Sequence, residues 1–224
     1  MPQATQNTVD VVVDIYHKSN VNLQILKDAG IVGIIHKASQ GLGMTDDKYK
    51  ERRDKALSMG FLWGAYHFSS ADSPKKQAKH FLASIEWGKN PDRDKNTLMS
   101  LDYEPSGKDE DGQDLPNMTL DGACEFVTEI HNQTGRWPMI YGGDLLRRAV
   151  KGKTPDIVVA NCPLWYARYR DTPVDLPTHI WPTYTLWQYS DGKSGPEPRL
   201  ISGKRFDRDT FVGTVTNLRQ KWPF

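Results

Sequence analysis

The stretch LMSLDYEPSG, residues 98–107, is an apolar run that ends in two carboxylic acids one residue apart. Side chains at i and i+2 of a strand share a face, so Asp102 and Glu104 would stand together while Tyr103 turns away. Two acids held side by side repel, and at least one of them resists ionisation. A carboxylic acid that keeps its proton near neutral pH is what general acid catalysis requires. The same segment also fits a strand end running into a solvated acidic loop, because Asp109, Glu110, Asp111 and Asp114 follow.

Such a pair needs rigid elements to aim it. Apolar runs at 9–14, 31–39, 61–68 and 97–104 have the character of buried strands, and helical spacing at 21–30, at 46–60 and from Ser73 separates them. After a loop at 105–118 the pattern continues with a helix at 120–135. Strand-like runs then follow in RWPMIYGG, PLWYARY, YTLWQYS and KRFDRDTF. Strand–helix alternation implies parallel βαβ units, and close to eight strands implies a barrel. Helices are short or missing in the last third. The expected fold is therefore α/β, a single β/α barrel over 9–224 that is distorted or incomplete relative to a full eightfold TIM barrel. A short tail at 1–8 precedes it.

In such a barrel the C-terminal ends of the strands carry the active site. Those positions are loaded with polar and aromatic residues: Asp14 and His17, His36 and Lys37, Tyr66 and His67, Asp102 and Glu104, Tyr141, and Trp187-Gln188-Tyr189. Each alone has an ordinary explanation. Asp14 suits a loop cap, His36 and His67 suit hydrogen-bonded walls, and Tyr66, Tyr141, Trp165 and Trp187 suit a core. Convergence on one end changes the reading. Aromatic faces beside carboxylates and amides offer a sugar both a stacking surface and acceptors for its hydroxyls.

Composition narrows the classes. The chain has 224 residues, 38% hydrophobic and 25% charged, which suits one globular domain. Its 29 basic and 28 acidic side chains leave a formal charge of +1, so neither nucleic acid nor an anionic membrane is an expected partner. Cys124 and Cys162 show no CxxC spacing and are expected to be buried thiols. No GxGxxG or Walker loop follows a strand, and no HxH or HExxH is present, so neither a cofactor nor a metal is expected. No stretch approaches the length of a membrane span.

These motifs, taken together, resemble the glycoside hydrolase family 25 lysozymes, which are muramidases of the bacterial cell wall. The carriers are VDIYH, HKASQG, GAYHF, LDYE, WPMIYGG, LWYARY, LWQYS and FDRDTF, in this order from about Val9 to Phe211. The resemblance implies a β/α barrel with fewer regular helices than eight. It also implies cleavage of the β-1,4 bond between N-acetylmuramic acid and N-acetylglucosamine in peptidoglycan glycan strands. Glu104 then corresponds to the general acid and Asp102 to its partner. Asp14 and Asp207 match further acidic positions, with Asp209 a competitor for the role of Asp207. Lys37, Tyr66, Tyr141, Trp165 and Gln188 would line the groove. Retention can proceed through an enzymic carboxylate or through the substrate's own 2-acetamido group. Acids at i and i+2 favour the second, and Asp14 as direct nucleophile is the alternative.

Two other functions compete. A metal-dependent amide hydrolase would require His17, His36, His67 and an acid to converge on one ion. A catalytically silent wall-binding barrel would keep the groove without turnover. The chain is expected to act as a monomer on the cell wall, outside the cytoplasm. MPQATQNT has neither a basic nor an apolar signal region, which leaves the export route open.

Overall fold

The computed structural model describes residues 7–224. Most of the tail expected at 1–8 lies outside them. Eight strands close a barrel: β1 (Thr8–Ile15), β2 (Gly33–Gln40), β4 (Leu62–Phe68), β5 (Thr97–Asp102), β6 (Met139–Gly142), β7 (Leu164–Ala167), β8 (Leu186–Ser190) and β11 (Asp207–Val212). The two-residue β3 (Met44–Thr45) folds back on β2, and β9 (Leu200–Ile201) pairs with β10 (Lys204–Arg205) as a separate hairpin. Helices α1 (Leu23–Asp28), α2 (Tyr49–Ser58), α3 (Pro74–Ser84), α4 (Pro91–Asp94), α5 (Leu120–Thr134), α6 (Asp144–Ala149) and α7 (Val215–Lys221), with a 3-10 turn at Val158–Asn161, make up the helical elements of the described residues.

The first half follows the sequence pattern closely. Asn22 caps α1 through its side-chain oxygen, which accepts from the amides of Gln24 and Ile25. Gly135 closes α5 at φ +72°, a conformation that costs glycine little. The last third departs from it. No helix connects β7 to β8, and the segment between β8 and β11 holds the β9–β10 hairpin in place of a crossover helix. The connection from β7 still crosses over and leaves β8 parallel to it, whereas the connection from β8 brings the chain back antiparallel. Accordingly β11 runs antiparallel to both β8 and β1, while the other seven barrel strands are mutually parallel where they pair. The single strand expected at 204–211 is thus two elements. The barrel is distorted, yet closed.

Alternation along each strand separates two apolar layers. Val13, Ile34, Trp63, Met99, Leu101, Ile140, Leu164 and Tyr166 pack outward against the helices. Val12, Ile35, Leu98, Met139, Leu186 and Phe211 fill the barrel, joined from below by Leu218 of α7 and by Trp222. The indole of Trp222 donates to the backbone oxygen of Trp63 at 3.1 Å and lies against Gly33, so the N-terminal ends of the parallel strands are plugged. A cleft opens at the opposite end.

Candidate active site

Above the apolar layer, the next inward position on each strand is polar or aromatic. A cleft of about 230 Å³ opens there, lined by Asp14, Tyr16, Lys37, Tyr66, Phe68, Asp102, Glu104, Tyr141, Trp165, Tyr169, Gln188 and Asp207. All nine residues singled out in the sequence as catalytic or substrate-binding are in this lining. Tyr16, Phe68 and Tyr169 were missed, although alternation could have found two of them. Phe68 follows Tyr66 by two, and Tyr169 follows Trp165 by four, so each shares an inward face.

The antiparallel turn of β11 supplies one wall. Its N-terminal end meets the C-terminal ends of the parallel strands, and the register sets Asp207 beside Asp14. Asp209 lies one layer deeper, opposite Gln188, and donates no wall to the cleft. Of these two acids, Asp207 is the one in the cleft lining.

On β5 the strand proper ends at Asp102, but the amide of Tyr103 still donates to the Tyr141 carbonyl at 2.9 Å. That bond carries the pleat one residue further. Tyr103 is buried on the outer side while Asp102 and Glu104 both face the cleft. Their carboxyls are in hydrogen-bonding contact. Burial first, then the neighbouring Glu104, hold Asp102 well above the usual carboxylate range, and burial raises Glu104 as well. The pair shares a proton rather than carrying two charges. Asp102 Oδ1 is buried and meets no N–H or O–H donor among the described residues.

A second set of bonds ties the opposite wall together. The Tyr141 hydroxyl reaches Gln188 Oε1 at 2.8 Å and Glu104 Oε1 at 3.4 Å, and Tyr169 donates to the same Gln188 oxygen at 2.8 Å. Gln188 Nε2 donates to Asp14 Oδ2 at 2.7 Å, and Trp165 Nε1 donates to Asp209 Oδ1 at 2.6 Å. Tyr141 and Trp165 stack edge to face with centroids 4.7 Å apart. Burial, then Asp207 and Asp209, raise Asp14 strongly, and burial with Asp191 and Glu104 pushes Asp207 to about 7.

Lys37 is the one cation in the lining. Its ammonium sits 4.6 Å over the Phe68 ring and donates to Gln40 Oε1 at 2.5 Å. It draws both Asp102 and Glu104 toward the charged form. In Lys37→Met the pair is therefore expected to hold its proton to higher pH. Carboxyl 13C NMR titration reads this as an upward move of the midpoint, and a fixed or lowered midpoint contradicts it.

The histidines do not join the acids. His36 lies on the outer face of β2, with Nδ1 2.7 Å from the Lys37 carbonyl and Nε2 3.3 Å from Arg52. His67 is clasped between Ser39 and Gln77 and stacks on Phe126. Burial lowers them to about 4 and about 3 respectively. His17 pairs with Asp46 at 3.1 Å. The convergence an amide hydrolase would need is not formed by these three side chains. Trp187 and Tyr189 likewise lie in the outer layer, and Gln188 is the residue of that strand in the cleft lining.

An acid pair sharing a proton in an aromatic-walled cleft at a barrel mouth is suited to glycosidic bond cleavage. The model of glycosyl hydrolases family 25 matches residues 13–197. The chain belongs to this family. It is a glycoside hydrolase. The family 25 match ends before β11, so Asp207 and Asp209 are located by the barrel's closure. The chain is 28% identical over 213 residues to lysozyme M1 of Streptomyces globisporus, covering 92% of this chain and 69% of that protein. It is also 28% identical over 195 residues to an N,O-diacetylmuramidase of a Chalaropsis species, covering 84% and 90%. A family 25 lysozyme structure from Aspergillus fumigatus superposes with TM-score 0.72 at 31% identity, covering 96% of this chain and 98% of that one.

Proposed function

We propose that this chain is a muramidase that cleaves the β-1,4 bond between N-acetylmuramic acid and N-acetylglucosamine in peptidoglycan, acting in the cell wall as a monomer. The observation that carries the reading is the contact between Asp102 and Glu104 in a groove walled by Tyr66, Tyr141, Trp165 and Tyr169. Glu104 is the more exposed of the two and stands at the groove's edge, where a glycosidic oxygen can reach it. It protonates that oxygen as the bond breaks and later deprotonates water.

Asp102 lines the cleft beside Glu104, which supports a substrate-assisted route. The N–H of a 2-acetamido group donates to the Asp102 carboxyl, which orients the acetamido oxygen toward the anomeric carbon and stabilises the positive charge that develops. The product then keeps the β configuration. Asp14 is bonded to Gln188 at the side wall and supports the same charge from there.

Glu104 and Tyr169 also line a second cleft of about 280 Å³, bounded by Gly143, Asp144, Arg148 and Arg168 among others. A glycan crossing Glu104 fills both, with the leaving portion in the second. Arg148 is exposed there and makes no ion pair among the described residues, so it faces the carboxylates of stem peptides. Arg148→Glu is expected to raise KM for peptide-bearing glycan by about two- to fivefold with kcat unchanged, as exposed charge contacts typically do. An unaltered KM discards that contact.

The deciding experiment incubates the wild type with purified peptidoglycan, with and without a chelator, and identifies reducing ends by borohydride reduction and mass. New N-acetylmuramic acid ends that are insensitive to chelator support the reading. Peptide release that stops on chelation supports the amide hydrolase, and binding without cleavage supports the silent barrel.

A further inference from the structure

Tyr16 is the first residue past β1, and its side chain lines the cleft. It stands 39% exposed, whereas Tyr66, Tyr141 and Trp165 of the same lining are buried. The steps of bond cleavage give it no task. A ring on a loose turn would have to be ordered by its ligand, at a cost to affinity. This turn is already ordered. The Tyr16 amide donates to Ser19 Oγ at 3.1 Å. From α2, Arg52 donates to the carbonyls of Tyr16 at 2.8 Å and of Ser19 at 3.0 Å. The buried carboxylate of Asp46, just past β3, accepts from the His17 amide at 2.8 Å and stands 3.1 Å from His17 Nδ1. His17 in turn meets the Tyr16 ring edge to face, with centroids 5.2 Å apart. Side chains from a separate element thus hold the turn that presents the ring.

Barrel topology places Tyr16 relative to the path of a glycan. The second cleft is walled by residues at or after the ends of β5, β6 and β7. Around the closed barrel, β11, β8 and β7 separate β1 from β6 on one side, and β2, β4 and β5 do so on the other. Tyr16 therefore stands across the mouth from the second cleft. A glycan whose leaving portion fills that cleft runs its retained portion toward β1. On the muramidase reading the retained sugar at the cleaved bond is N-acetylmuramic acid, and the next one out is N-acetylglucosamine. That second sugar carries no lactyl ether and no stem peptide. Its ring substituents are equatorial, so each face is a flat array of C–H groups, a surface that the face of a tyrosine ring covers well.

We propose that Tyr16 is the platform for this second retained sugar, an N-acetylglucosamine unit stacked on its ring, and that Arg52 is the positioning residue that holds the platform. The proposal rests on the muramidase reading, which fixes the order of the two sugars. The stacked unit does not touch the cleaved bond. Its binding energy is nonetheless available to seat the reacting sugar against Asp102 and Glu104, so its presence speeds cleavage.

The test measures what that sugar adds. Two aryl glycosides of N-acetylmuramic acid are compared, one bare and one extended at its non-reducing side by a β-1,4-linked N-acetylglucosamine, and the gain is the ratio of their kcat/KM values. The gain is expected to fall by about three- to tenfold in Tyr16→Ala, the scale of one lost aromatic contact, and to stay within about twofold of the wild type in Tyr16→Phe. Arg52→Ala should lower the gain as well, and should add nothing in the Tyr16→Ala background, because it acts through the ring. A merely structural loss would slow both compounds alike and leave their ratio fixed. An equal gain in wild type and Tyr16→Ala overturns the proposal, as does a wild type that gains nothing from the added sugar. A loss in Tyr16→Phe as large as that in Tyr16→Ala assigns the effect to the hydroxyl and overturns the stacking. An Arg52→Ala effect that persists in the Tyr16→Ala background overturns its positioning role. Should the wild type cleave neither compound, calorimetric binding of tri-N-acetylchitotriose to the wild type and Tyr16→Ala decides instead, and equal affinity, or none, overturns the platform. Peptidoglycan left intact by the wild type would separately mean that the muramidase reading fails.

Discussion

Glu104→Gln is expected to bind peptidoglycan as the wild type does and to cleave it about 10²- to 10⁴-fold more slowly, the range that a positioned general acid supplies. Glutamine matches the volume of glutamate and keeps an oxygen facing the Tyr141 hydroxyl, which lies 3.4 Å from Glu104 in the native site. What it loses is the transferable proton. The loss should fall on kcat with KM little changed, because protonation of the glycosidic oxygen belongs to the transition state. An aryl glycoside whose phenolate departs without a proton provides the internal control. With it, the deficit in bond cleavage should shrink markedly. Equal deficits on both substrates would assign Glu104 to binding or shape, and a loss below about tenfold would move the acid's role to Asp102 or Asp207.

The reasons this pair was legible in the sequence also explain why other parts of the site were not. Asp102 and Glu104 sit at the end of a fully buried strand, where two acids contradict everything before them, and period-two geometry alone puts them on one face. Asp14, Lys37 and Tyr66 were legible on the same grounds, as polar breaks in apolar runs whose parallel direction is enforced by helices between them. That logic weakens where the helices disappear. Nothing local in FDRDTF states that the strand runs backwards, so whether Asp207 or Asp209 reaches the mouth depended on a direction set by the β9–β10 hairpin and the closure onto β1. In a strand running the other way, the later acid would have been the one nearer the opening. The histidines are hydrogen-bonded wall residues, as their sequence positions suit. His36 is one residue from Lys37 and His67 one from Tyr66, and a shift of one position sends a side chain from the cleft to the helices.

Trp222→Ala is expected to lower stability by about 3–5 kcal/mol, the usual cost of emptying a large aromatic site in a core. For a chain of this size each kcal/mol corresponds to about 2–4 °C, so the thermal midpoint should fall by about 6–20 °C. The position explains the size of the effect. Trp222 fills the closed end of the barrel, its indole donates to the Trp63 carbonyl, and its ring meets Gly33 where a Cβ would lie 3.5 Å away. On the barrel side the space is bounded by Gly33 and Trp63, which belong to β2 and β4 and cannot collapse into it without distorting the sheet. The Trp63 carbonyl also loses its indole donor. At temperatures where the variant is folded, its kcat should be near that of the wild type, since the acids stand at the other end of the strands. Glu104→Gln should behave in the opposite way, with activity lost and the midpoint kept. A Trp222→Ala midpoint within about 2 °C of the wild type would mean that the plug contributes little. A large fall in kcat without a fall in midpoint would mean that the two ends of the barrel are mechanically coupled. The two variants together separate what holds the barrel closed from what the open end does.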